Sequence, residues 1–119
     1  MHLDVDDITS IRKKRMSPYD TSSLMFKIYS RMSEYFLSKN SLTFFMGGDN
    51  FMVVTNSKLK DYAKEFIQIC KDEFQIELNC GIGTASTSRG AVKLATQSLD
   101  TIREIRDAGK EKPEIYELN

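Results

Sequence analysis

The residues best suited to chemistry lie in a short Gly-Gly-Asp-Asn sequence at positions 47–50, which two apolar runs flank. Glycine, asparagine and aspartate tolerate positive φ, so the pattern predicts two strands joined by a tight two-residue turn with Asp49 at its tip. A carboxylate fixed at a turn tip is unfavourable unless a cation meets it. The chemistry that such a carboxylate serves is the binding of a divalent metal ion that carries a nucleoside triphosphate.

A second group of carboxylates lies near the first residues. His2 to Ile8 alternates polar with apolar side chains, which predicts a short strand with Asp4 and Asp6 on one face and Asp7 on the other. Phosphate chemistry uses two divalent ions roughly 3.5–4 Å apart, held between carboxylates on separate elements. We expect Asp4 and Asp49 to be metal ligands, with Asp6 and Asp7 next. The alternative for Asp6 and Asp7 is loop solubility and helix capping.

The elements that position these carboxylates follow from the periodicity of the sequence. Strands are predicted near residues 2–8, 42–46, 51–55, 76–82 and 114–118, and helices after the caps at 20–22, 56–57 and 87–88. The order βαββαβ, with a third helix and a last short strand after it, predicts an α+β ferredoxin-like or palm fold. Such a fold has an antiparallel sheet with helices on one face. Its two central strands bring the end of the first strand beside the Gly-Gly-Asp-Asn turn.

Composition limits the classes of protein to which the chain can belong. At 119 residues it is predicted to be one domain, residues 1–119, and its 17 basic and 17 acidic residues balance. That balance argues against nucleic-acid and membrane partners, because neither would be attracted over long range. The sequence lacks a signal-peptide pattern, and its two cysteines, Cys70 and Cys80, fall in apolar patterns typical of buried reduced thiols. We expect a cytoplasmic protein.

Two sets of cations could hold phosphate groups. Residues 12–15, Arg-Lys-Lys-Arg, follow the first strand, and Lys93 lies in the first turns of the third helix. The alternative is that both are solvated surface charge. Gly81-Ile82-Gly83 lacks the third glycine of a dinucleotide fingerprint, and we expect these glycines to let the backbone approach the hairpin or a ligand instead.

At this point the sequence resembles a known family. Residues 44–52 and 2–9, followed by Ile76-Glu77-Leu78-Asn79-Cys80-Gly81-Ile82-Gly83 and the helix with Leu94-Ala95 and Leu99 through Ile102-Arg103, look like the C-terminal half of archaeal GTP cyclohydrolase III. The resemblance implies a magnesium enzyme that opens the imidazole ring of GTP, retains the formyl group and releases pyrophosphate. The product would be a formylamino-pyrimidine ribosyl monophosphate. It also implies two tandem palm-like halves and an oligomer, so a chain with one half would form a homodimer or higher oligomer by palm–palm pairing.

The resemblance places Asp4 and Asp49 on the aspartates of the motif and Asn50 on its asparagine, while Asp6 and Asp7 fall where the family has asparagines. We therefore expect three catalytic residues and two magnesium ions, with a monovalent cation as a further candidate. The expected catalytic residues are Asp4, Asp49 and Asn50; the metal ligands are Asp4, Asp49, Asp6 and Val5; the nucleotide-binding residues are Gly47, Gly48, Asp7, Ile8 and Lys93.

Three functions remain open from the sequence. The first is a GTP cyclohydrolase III-type enzyme or its C-terminal domain. The second is a minimal palm nucleotidyl cyclase that makes a cyclic (oligo)nucleotide, against which Asn50 stands where many cyclases have a second acid. The third is a non-catalytic palm module for dimerisation or regulation.

Overall fold

The computed structural model describes residues 1–6, 16–56 and 58–119, in which five strands and three helices alternate. The elements are β1 (His2–Val5), α1 (Pro18–Leu37), β2 (Leu42–Phe45), β3 (Asn50–Val54), α2 (Lys60–Phe74), β4 (Leu78–Gly83), α3 (Ser88–Asp107) and β5 (Ile115–Leu118). This order confirms the predicted βαββαβ arrangement with a helix and a short strand after it. None of the described helices is long and apolar enough to cross a membrane.

The strands form one sheet in the order β2-β3-β1-β4-β5. β1 lies at the centre and is antiparallel to both β3 and β4, and β2 is antiparallel to β3. The predicted antiparallel sheet therefore holds for the first four strands. β5 differs, because it joins β4 in parallel and makes the sheet mixed. The crossover through α3 returns the chain to the same end of the sheet, which requires this parallel pairing.

One face of the sheet carries the main hydrophobic core. Leu3 pairs with Phe51 and Cys80 in the register, so all three side chains point to this face. Helices α1 and α2 cover it with apolar residues at helical spacing. The buried helix residues of this core are Leu24, Met25, Ile28, Met32, Tyr35, Phe36, Ala63, Phe66, Ile67 and Cys70.

The opposite face is covered by α3, which differs from the predicted arrangement with helices on one face. A Cβ added to Gly81 would lie 2.2 Å from the Ala95 carbonyl oxygen, and one added to Gly83 would lie 2.2 Å from the Ala91 carbonyl oxygen. The absence of side chains at these two strand positions lets the backbone of α3 rest directly on β4. The glycines do allow a close approach, but the expected neighbour, the hairpin or a ligand, was wrong: the backbone of α3 lies there.

The helix ends show which local signals were correct. Thr87 caps α3 by accepting a hydrogen bond from the Gly90 amide, and Gly109 follows the helix with a φ of 74°, both as predicted. At α1 the cap is Ser17, before Pro18, rather than a residue from 20–22. At α2 the position before the helix is the buried Leu59, which makes no side-chain cap.

Candidate active site

The turn between β2 and β3 presents Asp49 as the sequence predicts, although the connection is longer than two residues. The Met46 amide donates to the Asn50 carbonyl at 2.9 Å, and the Asn50 amide donates to the Gly47 carbonyl at 3.1 Å. Gly47 and Gly48 have φ values of 91° and 58°, which other residues rarely adopt. Nothing lies within 4 Å of a Cβ built on Gly47, so backbone conformation rather than packing requires glycine there.

The sheet register brings this turn beside the end of β1. Asp4 pairs directly with Asn50, the first residue of β3, so the predicted meeting of the two segments is observed. Asp4 is only 5% exposed. Burial raises the pKa of Asp4, the charge of Asp49 adds to the rise, and hydrogen bonds from Arg103 and Asn79 oppose it. The two carboxylates therefore lie within electrostatic range of each other.

Both oxygens of Asp4 are engaged by side chains from other elements. Arg103 of α3 donates to Oδ2 from Nε at 3.0 Å and from Nη2 at 2.6 Å. Asn79 of β4 donates to Oδ1 from Nδ2 at 3.1 Å. The ion pair raises the pKa of Arg103 although burial opposes it. The guanidinium of Arg103 thus opposes the rise that burial causes in the pKa of Asp4.

Asn50 links the turn to β1 and α3. Its Nδ2 donates to Asp49 Oδ1 at 3.1 Å, and its Oδ1 accepts from His2 Nε2 at 3.0 Å and from Arg103 Nη2 at 3.5 Å. His2 Nδ1 then accepts from the Thr96 hydroxyl at 3.2 Å. Burial lowers the pKa of His2, which favours the neutral imidazole, and the acceptor Asn50 Oδ1 places its proton on Nε2. Asn50 therefore fixes the Asp49 side chain relative to the sheet.

Asp6 belongs to the same network through a different cation. Its carboxylate is 0% exposed, and Lys112 Nζ lies 2.8 Å from Oδ2 as an ion pair. The Lys112 ammonium also donates to Asn79 Oδ1 at 2.6 Å. Because Asn79 donates in turn to Asp4, the chain of contacts joins both β1 carboxylates. The polar cluster runs from Asp49 to Asp6 along the end of β1.

A cavity of about 690 Å³ opens beside the turn, between it and the first half of α1. This volume is typical of pockets that hold a small organic ligand. Asp49 and Gly48 form one wall, and aromatic rings and two hydroxyl groups contribute to the rest. The lining residues are Met16, Pro18, Thr21, Ser22, Met25, Phe26, Phe45, Gly48 and Asp49.

A comparison with known proteins shows the family of the chain. A family model described as GTP cyclohydrolase III matches residues 1–114. The chain belongs to the GTP cyclohydrolase III family. The GTP cyclohydrolase III of Methanococcus maripaludis strain S2 is 38% identical over 118 residues, covering 98% of this chain and 42% of that protein. The GTP cyclohydrolase III of Methanocaldococcus jannaschii is 34% identical over 102 residues, covering 86% of this chain and 38% of that protein. The chain thus spans about two fifths of the length of the curated relatives it matches.

The structure does not bring every predicted site residue of this GTP cyclohydrolase III-family chain to the turn. The Val5 side chain is 2% exposed and lies in the core, so only its backbone could face a ligand. Lys93 is exposed and precedes Arg103 by about 15 Å along α3, because each helical residue rises about 1.5 Å. The C-terminal half of α3, not its first turns, reaches the carboxylates. Asp7, Ile8 and residues 12–15 lie outside the described residues.

The chemistry of the side chains fits a magnesium ion that arrives with phosphate groups. Magnesium typically takes one or two carboxylates and completes its shell with phosphate oxygens and water. Asp49 is partly exposed at the cavity, and Asp4 is the second carboxylate at this end of the sheet. No group of three His, Cys, Asp or Glu side chains that could hold a metal occurs among the described residues. Two carboxylates are the number that magnesium takes at a site it shares with a nucleotide.

Sequence reasoning missed three members of the cluster, namely Arg103, Asn79 and Lys112. Two signals were present. Arg103 is adjacent to Ile102 on the face of α3 that Ala95 and Leu99 bury, and an arginine beside a buried stripe needs a carboxylate. Asn79 occupies the middle of a strand on the face of the sheet that carries Asp4. Lys112 carried no comparable signal, since it lies between α3 and β5 in a polar segment.

Proposed function

We propose that this chain supplies a catalytic unit of a magnesium-dependent GTP cyclohydrolase. The observation that carries the proposal is the position of Asp49, which the glycine turn holds at the wall of a nucleotide-sized cavity and beside the end of β1. Membership of the GTP cyclohydrolase III family supports GTP as the substrate. The chain spans about two fifths of the length of these relatives, so the rest of the active centre would come from a second copy of the chain or from further polypeptide.

The proposed reaction consumes two water molecules for each GTP. One water adds to C8 of the guanine, the C8–N9 bond breaks, and N9 takes a proton, so that the formyl group stays on N7. The other water attacks the α-phosphorus, and the β- and γ-phosphates leave as pyrophosphate. Magnesium, when bound, would neutralise the charge of the triphosphate and of this leaving group.

The side chains of the chain would bind and orient the nucleotide. Asp49 and Asp4 would hold the metal, with Asn50 fixing the direction of Asp49 through its 3.1 Å hydrogen bond. The open backbone at Gly47 and Gly48 would lie along the phosphates. The aromatic rings of Phe26 and Phe45 and the hydroxyl groups of Thr21 and Ser22 would receive the base and ribose, since stacking and hydrogen bonding are the means by which pockets select such groups.

The test is to incubate the protein with GTP and magnesium and to identify the products by mass and ultraviolet spectrum. We expect a ring-opened pyrimidine and pyrophosphate, and loss of the metal-dependent product in Asp49→Ala. The control is Asp61→Ala, which removes an exposed carboxylate from the first turn of α2. Undiminished turnover in Asp49→Ala contradicts the metal assignment. A cyclic nucleotide as product would show that the enzyme is a nucleotidyl cyclase rather than a cyclohydrolase. GTP that stays intact favours a non-catalytic module or a requirement for the part of the relatives that this chain does not cover.

We further propose that the chain pairs with a second copy of itself through the uncovered part of the α3-side face. Leu42, Phe44 and Val54 of the outer strands, with Met46 of the turn, are 41–59% exposed and form what we name the outer-strand patch. The register places Leu42 opposite Val54 on this face. The patch carries no charge, and the chain has no net charge, so two copies would not repel each other. A monovalent cation at the site stays a prediction.

A further inference from the structure

Arg103 is placed to compete with a metal ion for Asp4. Its guanidinium donates twice to Asp4 Oδ2, and Nη1 lies 3.1 Å from Asp100 Oδ1. Asn79 holds the other oxygen of Asp4. The three hydrogen bonds leave about one of the four acceptor positions of the carboxylate, so a divalent ion that binds Asp4 must lie close to the guanidinium charge or displace it.

The competition is strong because the site is poorly screened. Asp4 is 5% exposed, and the Arg103 side chain is 32% exposed, so the ion pair lies largely out of water. At about 4 Å and an intermediate dielectric, a unit charge changes the binding constant of another by orders of magnitude. A metal that arrives alone must therefore bind against the guanidinium charge, and a guanidinium that leaves Asp4 keeps only hydrogen bonds to Asp100 and Asn50 among those described.

A nucleotide changes this balance. The planar fork of an arginine matches the oxygens of a phosphate as well as those of a carboxylate. A triphosphate that enters with the metal offers the displaced Arg103 a new anionic partner. Arg103 also approaches Asn50 Oδ1 at 3.5 Å, so it already lies toward the turn where the phosphates would be placed.

We propose that Arg103 is a positioning residue that makes metal binding at Asp4 depend on the nucleotide. It acts as an internal counter-ion for Asp4 until a metal–triphosphate complex replaces it. The inference rests on the proposed metal site at Asp4. Reciprocal coupling requires that the metal and the nucleotide each strengthen the binding of the other.

The test measures binding rather than activity. Mn²⁺ alone is titrated at pH 8, with the free ion followed by electron paramagnetic resonance. A preformed Mn²⁺ complex of 7-deaza-GTP, whose ring resists hydrolytic opening, is titrated by calorimetry. We expect Arg103→Gln to bind Mn²⁺ alone about tenfold more tightly than the wild type and to bind the nucleotide complex about tenfold more weakly. A merely structural role would not move the two affinities in opposite directions.

Arg106→Gln is the matched control, since it removes the same charge from the same helix at a residue paired with the exposed Asp107. It should leave both affinities within about twofold of the wild type. Arg103→Lys keeps the positive charge but loses the planar guanidinium, so both of its affinities should lie between those of the wild type and Arg103→Gln. It replaces Arg103→Gln in the test if that variant unfolds below the assay temperature. In the Asp4→Asn background, Arg103→Gln should no longer tighten Mn²⁺ binding.

Two outcomes separate the inference from its premise. If the wild type binds Mn²⁺ through Asp4 and neither Arg103 variant tightens that binding, the inference is overturned while the metal site stands. If Mn²⁺ does not bind, or binds equally well to Asp4→Asn, the metal assignment of Asp4 is wrong and the inference is lost with it.

Discussion

At the scale of the residue, the ion pair of Asp6 with Lys112 shows how β1 tolerates a second acid in a closed environment. Asp6 is 0% exposed and the Lys112 side chain is 15% exposed, so both charges are largely removed from water. Such a pair adds little net stability compared with apolar residues, but each partner depends on the other. This dependence argues for a structural role of Asp6, in which it anchors the segment between α3 and β5.

Removal of the positive charge of Lys112 should therefore destabilise the folded protein. We expect Lys112→Met to lower the free energy of unfolding by about 3 kcal/mol or more, because it leaves a carboxylate buried without its cation. Lys110→Met is the control, since Lys110 is exposed two residues earlier in the same segment. Urea unfolding at neutral pH compares the two. Equal effects of the two substitutions would mean that Asp6 does not depend on Lys112.

The residues of the site differ in how far the sequence could predict them. Asp49 and Asn50 were predictable, because the glycine turn that positions them is encoded within four residues. Asp4 was predictable from the topology, which sets it opposite the start of β3. Its partner Arg103 is 99 positions away, and only the packing of α3 on β4 brings the two together.

At the scale of the element, the contact between β4 and α3 determines where Arg103 lies. The backbone of α3 approaches so closely that a Cβ at Gly81 would lie 2.2 Å from one backbone atom and 2.5 Å from another. The strand and the helix therefore form one unit, and the helix carries the side chains that reach Asp4 and His2. Any change that lifts α3 from the sheet also removes the guanidinium from the carboxylate.

A methyl group at Gly81 should accordingly destabilise the fold. We expect Gly81→Ala to lower the free energy of unfolding by about 3 kcal/mol, since overpacking against backbone atoms cannot be relieved by side-chain rotation. Gly90→Ala, in the first turn of α3, should change it by less than about 1 kcal/mol. A Cβ there would meet only side-chain atoms of Thr87 and Ala85, at 3.0 and 3.1 Å, and helix propensity favours alanine. Thermal unfolding followed by circular dichroism measures both. A Gly81→Ala variant as stable as Gly90→Ala would contradict the close packing of α3.

The element boundaries illustrate what periodicity can and cannot predict. The alternation in β4 and the apolar stripe of α3 predicted both elements, whereas the close approach at the glycines was expected from the hairpin or a ligand and comes from α3. The face that α3 occupies was not predictable from either pattern. A glycine in a strand allows another backbone to pack closely, but it does not indicate which element of the chain will pack there. The parallel pairing of β5 followed from that placement of α3 and was missed for the same reason.

At the scale of the whole molecule, the main core depends on two thiols that must stay neutral. Cys70 and Cys80 are free and 0% exposed, and burial raises the pKa of each to about 12. A raised pKa means that the unfolded chain releases thiol protons near its ordinary value of 9.0 while the folded chain keeps them. The stability from neutral thiols is therefore complete below pH 9 and is lost as the pH rises toward 12.

We expect the free energy of unfolding to fall by up to about 1.4 kcal/mol per thiol for each pH unit above 9. Urea unfolding between pH 8 and 10.5 measures how the free energy of unfolding depends on pH. Cys70→Ala should remove the contribution of one of the two thiols to this dependence. Below pH 8.5 neither cysteine should react with a disulfide reagent until the protein unfolds. Rapid labelling of the native protein would show that the thiols are accessible and the core is looser than described.

The outer-strand patch is an apolar surface that we expect a second copy of the chain to cover. A monomer with four apolar side chains 41–59% exposed on one surface would be prone to association, and a self-complementary pair of sheets is the simplest way to bury them. We expect sedimentation equilibrium to give twice the 13.7 kDa of one chain, and Phe44→Lys to return the mass of a monomer. Val92→Lys, which alters an exposed apolar residue on α3, should leave the dimer intact. Because its relatives are more than twice as long, an isolated chain that stays monomeric at every concentration would mean that the patch is reserved for the remainder of a longer protein rather than for a second copy.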